Sequence, residues 1–128
     1  MSYLISVLFI IAGLINFAPL IGARSNEQLT KLYQIDILDQ NVGVLLRHRA
    51  FLFGIVGAII ILAAFLPALR LTATIAGLIS MVSYIVLVFA MRTSNPNLVR
   101  VAWIDVFATF ALLLGFALHL WCDQITLN

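Results

Sequence analysis

Four apolar runs, each close to the length that crosses a lipid bilayer, leave this chain few folds to choose from. They are Tyr3 to Ile21, Ala50 to Leu66 with a polar-punctuated leader from Asn41, Leu71 to Met91, and Val101 to Trp121. About 20 residues of helix span the hydrocarbon core. Lipid offers nothing to the N–H and C=O groups of an open strand, so each run is expected to be a helix. Composition agrees: 64% of the 128 residues are hydrophobic and 9% are charged, whereas soluble domains are about half apolar and a quarter charged.

The first run lacks the basic leader of a signal peptide, only Met1-Ser2 standing before it, and no A-x-A site follows. It therefore reads as a retained helix. Pro19 and Gly22 end it, Pro67 and Arg70 mark a tight turn between the second and third helices, and Asn95-Pro96 opens the fourth. Proline is harmless in a first turn, where its missing N–H would find no helical acceptor. The one sizeable loop runs from Gly22 to about Gln40. Within it Ser25-Asn26-Glu27-Gln28 has the form of a capping box. Leu29, Leu32 and Tyr33 then share a face, as in a short amphipathic helix lying on the membrane surface. The expectation is one domain over residues 1–128, an all-α membrane protein. It is an up-down bundle of four transmembrane helices at about 3–21, 41–66, 69–91 and 96–121, with an interfacial helix at about 26–34.

Several function classes fall away. Seven Lys/Arg against five Asp/Glu give a net charge of +2 with no basic stripe, so nucleic acid is not an expected partner. Cys122 is the sole cysteine, which rules out an intrachain disulfide and a cysteine-based zinc site. His119 and Asp123 stand at i and i+4 beside Trp121 at a helix end, but a third metal ligand is not evident. No P-loop, G-x-G-x-x-G or H-E-x-x-H motif is present, so no cofactor and no catalytic residue is assigned. Arg24, Lys31, Arg47, Arg49, Arg92 and Arg100 lie on the side of the large loop, with Arg70 alone opposite. The positive-inside rule then puts that loop in the cytoplasm and both termini outside.

The polar residues within the spans converge on the leaflet of the large loop. Asn16 lies near the end of the first helix, Arg47, His48 and Arg49 in the early turns of the second, Tyr84 in the latter half of the third, and Asp105 about two and a half turns into the fourth. The other leaflet offers little beyond Ser6, Thr72, Thr74 and His119. Small residues at three- and four-residue spacing mark faces where membrane helices approach closely. Gly43, Arg47, Ala50, Gly54 and Gly57 form such a seam, as do Ala102, Asp105, Ala108 and Gly115, then Ala73, Gly77, Ser80 and Tyr84, then Ser6, Gly13 and Asn16. These seams turn Asn16, Arg47, Tyr84 and Asp105 inward, while Arg49 stands about 200° from Arg47 and His48 about 100°. A charge at membrane depth is normally paired or lines a wet cavity, and Arg47 with Asp105 is the natural pair. It reads as a structural ion pair, as the floor of a pocket whose mouth Arg49, His48, Arg92 and Arg100 leave positive, or as part of an ion pathway. Tyr33 would stand on a lid. His48 fits an interfacial hydrogen-bonding histidine, or an acid/base if the chain is an enzyme.

The stretches Leu32-Tyr33-Gln34-Ile35-Asp36, Leu45-Leu46-Arg47-His48-Arg49-Ala50 and Phe53-Gly54, with a lone Asp in the last helix, resemble the small DoxX-like bacterial inner-membrane proteins. The resemblance covers most of the chain through short motifs. It implies a four-helix bundle in the bacterial inner membrane, and for some members a place in quinol oxidases or other membrane redox complexes. Look-alikes carry the label phosphopantetheine adenylyltransferase. That activity needs an H-x-G-H element, which Arg47-His48-Arg49-Ala50 does not supply. The expected role is non-catalytic. The chain would bind a lipid- or quinone-like amphiphile through Arg47, Asp105, Asn16, Tyr84, His48, Arg49 and Tyr33, or serve as accessory subunit of a membrane complex. The alternatives are a purely structural partner in a hetero- or homo-oligomer, and an isomerase or redox enzyme acting on a lipophilic substrate.

Overall fold

The computed structural model describes residues 2–22, 25–33 and 39–127. Its helices are α1 (Ser2–Phe17), α2 (Pro19–Gly22), α3 (Asn26–Tyr33), α4 (Gln40–Phe65), α5 (Arg70–Ala90) and α6 (Pro96–Leu127), with a 3-10 turn at Pro67–Leu69. Four spans, Ser2–Ile21, Gln40–Phe65, Pro67–Ala90 and Pro96–Ile125, are long and apolar enough to cross a membrane. The protein is an all-α, four-helix, multi-pass membrane protein.

Local chemistry places the ends. Pro19 has no N–H to continue the ladder and splits the first span after Phe17, without redirecting it out of the bundle. The Ser25 hydroxyl accepts from Gln28 N at 3.2 Å, which starts α3. On that short helix Glu27, Gln28 and Lys31 are exposed. Asp39 caps α4, its carboxylate accepting from Asn41 N at 2.8 Å. Asn95 does the same for α6, accepting from Asn97 N at 2.9 Å and Leu98 N at 3.4 Å. The fourth helix runs on to Leu127, past the expected stop near Trp121, because Cys122-Asp123-Gln124-Ile125 contains neither the glycine nor the proline that would end it.

Each long helix packs on two neighbours. α1 lies against α4 and α6, and α5 lies against α6 and α4, so the four close a ring. The centre is filled by Ile5, Phe9, Ile60, Met81 and Leu112 among alanines from every helix. Only 28–33% of the most apolar window of each span is buried, and the rest is lipid-facing, as Phe65, Phe107, Phe110 and Trp121 show. The small-residue seam of α4 packs on the first span, Gly57 against α1 and Gly54 against Leu20 of α2. A Cβ on Gly57 would stand 2.6 Å from Phe17 N and 2.7 Å from Gly13 O, so the two backbones touch there.

Candidate functional site

At the large-loop end the ring of helices opens into two adjoining cavities. Asn16, next to last in α1, is buried and accepts a hydrogen bond from Ser80 Oγ of α5 at 3.1 Å, straight across the bundle. Its other amide atom, Nδ2, is buried, and among the described residues nothing accepts from it. Turning the amide over exchanges N for O but leaves one polar atom unmatched either way. Asn16 lines a cavity of about 220 Å³ together with Ile15 and Pro19, Arg49 and Phe53 of α4, and Val101, Ile104 and Asp105 of α6. Arg49 and Asp105 are each the tenth residue of their helix. At 1.5 Å per residue both lie about 14 Å in from the helix start.

The second cavity, about 690 Å³, lies on the other side of Arg49 and Phe53, which line both. Its remaining walls come from Ser83, Tyr84, Leu87 and Val88 of α5, the Met91–Ser94 link, and Leu98 of α6. The Arg49 guanidinium stands 4.5 Å from the centre of the Tyr84 ring and 5.0 Å from that of Phe53. Cation–π contact of this kind holds an arginine side chain in place inside an apolar setting. Tyr84 is itself fixed, its hydroxyl donating to Leu98 O at 3.3 Å.

This arrangement corrects the expected pairing. Asp105 shares its cavity with Arg49, and Arg47 is not among the residues lining either cavity. The reason is that a helix in a ring has two contact faces. Gly57 meets α1 and Gly54 meets Leu20 of α2, whereas Arg49, Phe53, Val56 and Ile60 form a second stripe about 100° further round the helix, directed at the bundle centre. The small-residue seam identified the first face and hid the second, although the four-, three- and four-residue spacing of that stripe was present in the sequence. Asn16 and Tyr84 are buried inside the bundle. His48 is exposed and lines neither cavity. Tyr33 ends α3, and its side chain lies outside the described residues, as do Arg24 and residues 34–38.

The expected one-sided polarity also fails. Arg70, read as a turn residue, is 7% exposed and belongs to the opposite end of the bundle. Its Nε donates to Ala63 O at 3.3 Å and its Nη1 lies 3.1 Å from His119 Nδ1, with the Phe9 ring 5.9 Å away. Arginine only donates, so Nδ1 is the acceptor there. Asp123 Oδ1 stands 3.5 Å from the same nitrogen, and Thr74 Oγ1 ties back to Arg70 O at 2.7 Å. The sequence signal for this cluster was Arg70 directly after a proline turn, where a helix start turns inward as readily as outward. Among the described residues no group of three His, Cys, Asp or Glu could hold a metal ion. No family model, curated protein or solved structure matches the chain.

Proposed function

We propose that this membrane protein binds the polar head of a lipid- or quinone-like amphiphile in the cavity of Asn16, Arg49 and Asp105, without catalysing a reaction on it. The observation that carries the reading is the unmatched amide atom of Asn16, buried at the wall of a cavity that also holds a cation and a carboxylate. A buried amide group left unmade costs about 1–3 kcal/mol, and a ligand's polar atom would recover it. Size supports the same class. A cavity of about 150 Å³ accommodates benzene, so this one admits a head of about one substituted ring. The remaining wall, Ile15, Phe53, Val101 and Ile104, suits an apolar body.

On this reading the chain belongs with the DoxX-like proteins of the bacterial inner membrane, its large loop cytoplasmic and its termini outside. What supports the placement is that Arg49 and Phe53 of the resembling stretches line one cavity with Asp105 of the last helix. A role as accessory subunit of a membrane complex is compatible with such a site, since the bound amphiphile could be shared with a partner.

The test is solvent extraction of detergent-purified protein followed by mass spectrometry, wild type beside Asn16→Leu. We expect one amphiphile recovered in stoichiometric amount from the wild type and depleted about tenfold from the variant. A wild type that yields only detergent would sink the reading and favour the purely structural one, in which the Asn16–Ser80 bond is internal glue.

A further inference from the structure

The second cavity is a different kind of site from the first. Two arginines, Arg49 and Arg92, line it, and among the described residues no carboxylate does. The hydroxyls of Thr93 and Ser94 add short-range donors, while that of Ser83 donates to Ser80 O, and Leu87, Val88 and Met91 supply an apolar flank. Position matters as much as composition. The cavity is walled by the end of α5 and the link to α6, where a span leaves the hydrocarbon and reaches the depth of lipid headgroups, and Arg92 is exposed there. The Arg49 guanidinium is held against the rings of Tyr84 and Phe53 at the wall of this cavity.

Arg92 also carries a backbone cost. Its φ is +48°, in the left-handed region that closes helices and that glycine adopts freely. A side chain there is strained, and the one present is the longest cation available. Backbone strain of this kind gathers at ligand-holding positions.

We propose that the second cavity is a site for the phosphate of an acidic phospholipid, held between Arg92 and Arg49, with an acyl chain lying along Leu87, Val88 and Met91. The chemistry recognised is a phosphate anion, and the bilayer is its source. Arginine forks suit phosphate oxygens, and a positive cavity at headgroup depth draws anionic lipid from the leaflet around it. Arg49 and Phe53 line both cavities, but Arg92 lines the second and not the first, so substitution of Arg92 tests this reading apart from the one above.

The experiment is native mass spectrometry of the delipidated protein titrated with phosphatidylglycerol, with phosphatidylcholine, and with inorganic phosphate, on wild type, Arg92→Gly and Arg92→Lys. The wild type should bind phosphatidylglycerol about tenfold more tightly than phosphatidylcholine. Arg92→Gly should lose that preference while its Tm stays level or rises, because glycine relieves the strained backbone. Arg92→Lys, which keeps the charge, should retain most of the preference. Equal binding of the two lipids by the wild type would overturn the proposal, and so would an unchanged preference in Arg92→Gly. Displacement of phosphatidylglycerol by inorganic phosphate at equal concentration would overturn the lipid source and assign the site to a free anion.

Discussion

The two ends of this bundle bury charge in opposite ways. At the end away from the large loop, Arg70 is enclosed by Ala63 O, His119 and Phe9, with its Nε and Nη1 met by neighbouring protein atoms. At the large-loop end, Arg49, Asn16 and Asp105 surround space, and one amide atom of Asn16 is left over. Both arrangements use an arginine inside a membrane domain, which is costly in either place. The difference teaches what each is for. A charge knitted into its surroundings fixes helix positions, whereas a charge beside a cavity leaves room for the ligand proposed above.

Substitution at the closed end should do the greatest damage. Arg70→Ala removes the ties from α5 to Ala63 and to His119 and the packing against Phe9, and is expected to lose about 2–4 kcal/mol in reversible unfolding from detergent. A loss under about 1 kcal/mol would mean that this end is no more a clamp than the other. The next effect lies between the ends, where Gly57 meets α1 backbone to backbone. Gly57→Ala must push Phe17 and Gly13 away and should destabilise by about 1–3 kcal/mol in the same assay.

The open end should respond differently. Asn16→Leu gives up one interhelical hydrogen bond but also removes the unmatched amide atom, and its stability should stay within about 1 kcal/mol of wild type while the amphiphile is lost. The smallest effect is a gain: Arg92→Gly at a φ of +48° should stabilise by about 0.5–1 kcal/mol. A large loss in either variant, followed by thermal unfolding, would erase the distinction between a scaffold end and a binding end.

Much of the fold was legible because the bilayer demands it. Run length gave the four spans, and Ser25 and Pro96 marked helix starts by chemistry that works locally. The candidate site is a matter of depth and of azimuth, and residue counting speaks only to depth. Asn16, Tyr84, Asp105 and the arginines of α4 were placed in one leaflet by counting residues. Which arginine faces Asp105 depended on which of two faces of α4 meets which neighbour, and that is a property of the assembled ring. Arg70 was missed for a related reason. A residue at the first turn of a helix can point to water or into the bundle, and only the position of His119 on α6, 49 residues further along the chain, decides it.

The most direct test of the account is native mass spectrometry of Asn16→Leu beside Arg70→Met, reading bound amphiphile per folded molecule. Asn16→Leu should be well folded and bare, while whatever fraction of Arg70→Met remains folded should still carry the wild-type adduct. An adduct kept by Asn16→Leu, or lost from folded Arg70→Met, would contradict it.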